Sequence, residues 1–297
     1  MTSDESVAVV VERINRVPDR FRAYTEPQER ATRFYRIPPE LLTGLLDHGL
    51  PHARDGDRLL FDRRDLKNVV LRLSVRSPQH TALRSMAEAL EHGSRHAVVR
   101  RTLNVTAGCP APGHEGDCDV TLAAPVRAAA REVTRMAGGH YQIAVEVPGG
   151  PAELLDFGPA HWQLVEAAAA LEFHRVPYHV IADVGFTAET GLADCRSATR
   201  YLVHVGRRLG LDVRPAAGIH LSRPFANTHC WLELRIGGEW RTADPFFNLV
   251  LGRWGIVDGA AWPANRVPKG AFWRLTELLE PVMHHGDTIL RPSLLVR

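Results

Sequence analysis

The sequence predicts an α+β protein, with a mostly helical first third followed by a helix packed on an antiparallel sheet. Three observations carry that prediction. Apolar residues recur at helical spacing through much of residues 1–93. Two later stretches, Tyr141 to Val147 and Thr228 to Ile236, alternate at period two, as strands do. Gly237-Gly238 then joins the second stretch to Glu239 to Asp244 as an antiparallel hairpin.

In chain order, Val7, Val10, Val11 and Ile14 mark a helical face, although the consecutive valines also suit a strand. Thr25-Glu-Pro-Gln28 reads as a helix start, with threonine as N-cap and glutamine three residues on. Pro38 or Pro39 opens a helix through Leu41, Leu42, Leu45 and Leu46, closed by Gly49 and Pro51. Asp55-Gly-Asp57 makes a turn, Leu59 to Phe61 a short strand, and Asp62 caps a helix to about Leu73. Over Arg36 to Leu73 this order resembles the winged-helix domains of excisionases and MerR-type regulators. The residues that carry it are Ile37-Pro-Pro-Glu-Leu-Leu42, Gly49-Leu-Pro51 and Leu60-Phe-Asp-Arg-Arg-Asp-Leu66. That resemblance implies DNA binding through Arg63, Arg64 and Lys67. Residues 1–76 carry 14 Arg/Lys against 12 Asp/Glu, which is not the clustered positive face that a phosphate backbone requires. A protein- or peptide-docking module, or plain packing, fits that balance better.

Ser77-Pro78 begins a helix carrying Leu83, Met86, Ala87 and Leu90, with Gly93 as its expected stop. Val99, Leu103 and Val105 suggest a strand, and Pro125 opens an expected helix to Met136. Pro148-Gly-Gly-Pro151 is the best boundary in the composition. The expected organisation is therefore a helical, winged-helix-like region over 1–93, a connecting segment over 94–150 and a catalytic domain over 151–297. In the loop Cys109 to Asp119, Cys109, His114 and Cys118 have the chemistry of three zinc ligands. Only Asp119 and His140 offer themselves as a fourth, and no C-x-x-C pair is present, so a surface turn with free thiols and no metal is the reading adopted.

The formal charge of +2 supplies no field that would recruit nucleic acid or a membrane. The opening residues lack an apolar signal core, and no stretch reaches the roughly 18 apolar residues that span a bilayer. Four cysteines are too few for a disulfide scaffold in 297 residues. A cytoplasmic protein with reduced thiols is expected.

From Pro159 a helix is expected to about His174, then a short strand from Tyr178 to Val184 and a loop from Gly185 to Gly191. Asp194-Cys195 leads into a helix on which Ala198, Leu202, Val205 and Leu209 recur. Cys195 thus falls in the first turn, where free amides and the helix dipole favour an anion. That position, beside a protonated histidine, lowers a thiol pKa from about 8.5 to roughly 3.5–7.5. Alternation along Thr228 to Ile236 puts His229, Trp231, Glu233 and Arg235 on one face and Cys230, Leu232 and Leu234 on the other. Asp244, at the end of the returning strand before Pro245, is then expected across from His229. Cysteine, histidine and aspartate in that order are the parts of a thiol nucleophile, its base and the base's orienter.

Cys195-Arg-Ser-Ala198, Leu209-Gly-Leu211, His229-Cys-Trp-Leu-Glu233 and Gly237-Gly-Glu-Trp-Arg-Thr-Ala-Asp-Pro245 closely resemble the motifs of the transglutaminase-like superfamily. The resemblance spans about Gly191 to Phe247. It implies a papain-like core, a Cys195–His229–Asp244 triad and acyl transfer or hydrolysis through a thioester. The acyl donor would be a peptide, protein or peptide-like amide or thioester, the acceptor an amine or water, and no cofactor is called for. Two positions depart from the family pattern. Cys230 stands where alanine is frequent, and is expected as a small buried core residue. Ala193 stands where glycine is frequent. The second reading is a binding protein, for DNA or peptide, built on an inactive scaffold of this kind. Residues 248–297 receive no role, beyond an expected helix from about Ala271 to Met283 and a solvated His284-His285 pair.

Overall fold

The computed structural model describes residues 6–73, 78–110, 119–156 and 158–297. The first unit comprises α1 (Val7–Asn15), β1 (Tyr24–Pro27), α2 (Gln28–Arg33), α3 (Pro39–Asp47), β2 (Ala53–Asp55), β3 (Arg58–Asp62) and α4 (Arg63–Arg72). Its strands pair antiparallel in the order β1-β3-β2. Ile14, Tyr35, Leu42, Phe61, Leu66 and Val70 are sealed in one apolar cluster. Asp62 caps α4 as expected, accepting from the amides of Arg64 at 2.7 Å and Asp65 at 3.3 Å. Thr25 does not cap a helix. It lies in β1, which is held by β3, and α2 starts only after Pro27.

Next comes α5 (Pro78–Arg95). It does not stop at Gly93. That glycine is required by a close approach, since a Cβ there would lie 2.0 Å from the Lys269 carbonyl oxygen. The following stretch holds β4 (Val98–Thr106), β5 (Val120–Leu122), α6 (Ala124–Ala129), β6 (Glu132–Arg135) and β7 (Tyr141–Pro148). The helix expected from Pro125 to Met136 ends at Ala129. Beyond it Glu132 to Arg135 pair with β7, Val133 opposite Ile143.

The remaining elements are α7 (Pro159–Ala169), β8 (Glu172–Phe173), α8 (Val184–Thr190), β9 (Leu192–Ala193), α9 (Cys195–Arg208), β10 (Val213–His220), β11 (Asn227–Ile236), β12 (Glu239–Ala243), α10 (Pro245–Arg253), β13 (Phe272–Thr276), β14 (Met283–His285), β15 (Thr288–Leu290) and β16 (Ser293–Val296). Three local expectations are corrected here. Tyr178–Val180 form a 3-10 turn rather than a strand, and α8 occupies the expected loop. Residues 271–283 form β13 and the start of β14 rather than a helix, because β13 pairs along β10 and buries Phe272 and Trp273. Pro245 ends the hairpin but also opens α10.

The central sheet runs β12-β11-β10-β13, antiparallel throughout. Helix α9 covers one face, where Ala198 and Leu202 meet Leu232, Leu234 and Val213. On the other, Ala216, Trp231 and Phe272 pack with Met86 and Leu90 of α5 and Phe247 of α10. This helix-on-sheet arrangement is an α+β architecture. A second antiparallel sheet, β16-β4-β7-β6, places the last strand beside the first strand of the 94–150 stretch. Its apolar face shares a core with Ile219, Leu221 and Trp273 of the central sheet. No helix among the described residues is long and apolar enough to cross a membrane.

Candidate active site

Local sequence explains why Cys195 sits where it does. Gly191, at φ 68°, ends α8 in the left-handed region that favours glycine, and turns the chain into β9. β9 pairs parallel with β8, the Glu172 amide donating to Gly191 O and the His174 amide to Ala193 O, both at 2.8 Å. Asp194 then caps α9. Its Oδ1 accepts from the Arg196 amide at 2.9 Å and the Ser197 amide at 3.2 Å, and Ser197 Oγ accepts from the Asp194 amide at 3.0 Å. This capping box engages the amides on either side of Cys195 and leaves the Cys195 N–H among the unpaired donors of a helix start.

His229 enters from β11. Its Nε2 bonds Asp244 Oδ2 at 2.6 Å, which leaves Nδ1 for the Cys195 thiol in the same cleft. Asp244 is held in turn, because its Oδ1 accepts from the Phe247 amide at 3.1 Å and so caps α10. Both partners are buried, and Trp231, Phe247 and Phe272 enclose the imidazole with ring centroids 4.9–6.2 Å away. All three residues singled out in the sequence therefore come together.

The electrostatics suit a thiolate. Cys195 is drawn down to about 5, first by the hydrogen bond from Cys230 and then, against the cost of burial, by the bond to His229 and its charge. Burial pulls the His229 imidazolium down, but the Asp244 carboxylate and the Cys195 thiolate outweigh it and raise the ring to about 10. Cys230 is buried as expected and lies on the α9 side of β11 with Leu232 and Leu234. That face also carries the start of α9, so its thiol acts on the Cys195 ionisation, a coupling the alternation pattern did not reveal. Its own ionisation is pushed strongly upward by that bond and by burial, so Cys230 stays the protonated donor.

The site opens into a cleft of about 370 Å³. Cys195, His229, Arg175 and Arg196 provide its chemistry, and Phe173, Phe246 and Phe247 part of its wall. Leu71 of α4 and Leu83 and Met86 of α5 complete that wall, so the N-terminal unit borders the nucleophile. Asn68 of α4 makes the join. Its Oδ1 accepts from the Arg175 amide at 2.8 Å, and its Nδ2 donates to His174 Nε2 at 2.8 Å and Arg175 O at 3.3 Å. Neither Asn68 nor Arg175 has a sequence signal, because each acts through a partner 107 positions away. Larger grooves exist, such as one of about 870 Å³ beside Glu88, His92 and Arg95, but they hold no nucleophile.

The remaining candidates do not line this cleft. Arg63 and Arg64 open α4 with Lys67 one turn on, and the Lys67 ammonium is lowered to about 8 by burial and by Arg175, Arg63 and Arg64. Of the loop whose residues have the chemistry of zinc ligands but which is read as a surface turn, Cys109 Sγ lies 3.9 Å from His285 Nε2, while His114 and Cys118 fall outside the described residues. Among the described residues no group of three His, Cys, Asp or Glu side chains is arranged to hold a metal ion.

No family model matches the chain, and no curated protein matches it. Among solved structures, the chain is similar to the crystal structure of a "putative cysteine protease" from Cytophaga hutchinsonii. The identity is 12%, over 67% of this chain and 93% of that one, with a TM-score of 0.30.

Proposed function

We propose that this protein is a cysteine enzyme of the transglutaminase-like, papain-like type, which transfers or hydrolyses an acyl group through a thioester on Cys195. The observation that carries the reading is the 2.6 Å bond from Asp244 to His229 Nε2, with the other ring nitrogen left to a thiol at the start of α9. At neutral pH this is a thiolate–imidazolium pair. The thiolate attacks the carbonyl of a peptide-like amide or thioester, and the Cys195 N–H steadies the oxyanion, a contribution of about 2.7–4 kcal/mol per donor in comparable sites. His229 gives its proton to the leaving group, then as neutral base takes one from the amine or water that releases the acyl group. Asp244 holds the tautomer and the imidazolium charge.

The wall contributed by α4 and α5 supports a role for the N-terminal unit in selecting a peptide-like donor. A DNA role finds less support. The second helix of a helix-turn-helix pair is the one that enters the groove, and α3 carries Glu40 and Asp47 and no Arg or Lys. The test is to trap the acyl-enzyme from a cell extract and weigh it intact. A discrete adduct on the wild type that is absent from Cys195→Ala names the donor. No adduct on either protein refutes the enzyme reading in favour of the inactive scaffold.

A further inference from the structure

One cation of the cleft touches no carboxylate among the described residues. Of the cleft's two guanidiniums, Arg196 is engaged, donating to Asp194 Oδ2 at 2.5 and 3.2 Å and to Oδ1 at 3.4 Å. Arg175 has no carboxylate partner among the described residues, and its Nε is sealed from solvent without an acceptor. Asp194, the one acidic residue of the lining, is already taken up by Arg196 and by the α9 cap. The Arg175 backbone is clamped by Asn68, which fixes where its side chain departs from the chain. Burial pulls the Arg175 guanidinium down, and the Cys195 and Asp194 charges act on it in the opposite direction across the cleft. A half-buried guanidinium whose Nε lacks an acceptor has donors to offer, and such groups concentrate where a ligand supplies the missing partner. A guanidinium matches a carboxylate in two parallel hydrogen bonds.

Resting on the reading of Cys195 as a nucleophile, we propose that Arg175 is a specificity determinant that binds a carboxylate on the acyl donor, beside the carbonyl that Cys195 attacks. The substrate class is then an acidic peptide or peptide-like acyl group. The apolar wall of Leu83, Met86 and Phe247 receives the rest of the donor.

The probes are iodoacetate and iodoacetamide, which alkylate a thiol alike and differ in one negative charge. Rates at Cys195 are compared at pH 7.5, well above its titration, so a change in thiolate fraction does not enter. The expected result is that the iodoacetate-to-iodoacetamide ratio falls about tenfold in Arg175→Gln, as for loss of one charge-assisted hydrogen bond. Arg175→Lys keeps most of the ratio, and high salt lowers it in the wild type. Should R175Q fail to fold, the lysine variant and the salt dependence still decide. An unchanged ratio in a folded R175Q, or a wild-type ratio indifferent to salt, overturns the proposal. Failure of the enzyme reading looks different, because Cys195 would then react no faster than the other thiols with either reagent. Peptidyl chloromethyl ketones ending in Asp or Asn separate the sources. Faster inactivation by the Asp reagent places the carboxylate on a side chain. Equal rates with the iodoacetate preference intact place it at a chain end.

Discussion

Asp244 uses one oxygen to cap α10 and the other to hold His229, so a single carboxylate sets both a helix start and an imidazole tautomer. Asp244→Asn keeps an acceptor for the Phe247 amide but removes the charge opposite the ring. The expected outcome is a fold of nearly unchanged melting temperature and a loss of about 10²–10⁴ in turnover. The pH dependence follows from the two shifts. Cys195 titrates near 5 and His229 near 10, so the pair is in its thiolate–imidazolium form between those values. Alkylation of Cys195 by iodoacetamide is therefore predicted to fall as pH drops through about 5. Turnover is lost there and again as pH rises through about 10, where the imidazolium gives up its proton. Because Cys230 supplies the leading hydrogen bond to the thiolate, Cys230→Ala moves the lower midpoint upward, by about one pH unit for a bond of about 1.4 kcal/mol. An unmoved midpoint would show that the contact does not stabilise the thiolate.

At the scale of elements, α9 and the β11–β12 hairpin were legible because their signals are local. Asp194 is a cap, Gly237-Gly238 is a turn, and Thr228 to Ile236 alternate whatever the rest of the chain does. β13 was not legible, because Phe272 to Thr276 become a strand through pairing with β10, some 50 positions earlier. Glu132 to Arg135 likewise are drawn into a strand by β7. Gly93 misled for a related reason. A glycine there signals a helix stop, yet it lies inside α5 and is needed because Lys269 and Gly270 pass against it. Gly93→Ala accordingly sets a Cβ against backbone that has no flexible end to give, despite alanine's better helix propensity. The expected loss is about 1–3 kcal/mol, the usual cost of overpacking, read from denaturant unfolding. A stabilised variant would mean that this crossing is looser than described.

Across the whole molecule, the N-terminal unit and the sheet that carries His229 are built into one site. Asn68 and Arg72 of α4 hold the 173–175 segment, Arg72 donating to Phe173 O at 2.7 Å, and α5 covers Trp231 and Phe272. Nothing in residues 1–93 announced this, because the contacts join chain positions about 100 apart and the participating side chains are ordinary ones. Asn68→Ala orphans the Arg175 amide and His174 Nε2, at about 1–3 kcal/mol for each buried group left unpaired. The variant is predicted to melt lower and to lose part of the iodoacetate preference while Cys195 still reacts with iodoacetamide. Loss of both reactivities together would mean that the clamp supports the nucleophile itself rather than Arg175.

The most direct measurement is limiting alkylation at pH 6, with the label located by peptide mass, on the wild type and His229→Ala. The account predicts that Cys195 is modified well ahead of the other three cysteines, and that the advantage disappears when His229 is removed. Equal labelling of the accessible thiols in the wild type, or a Cys195 preference that survives without His229, would contradict it.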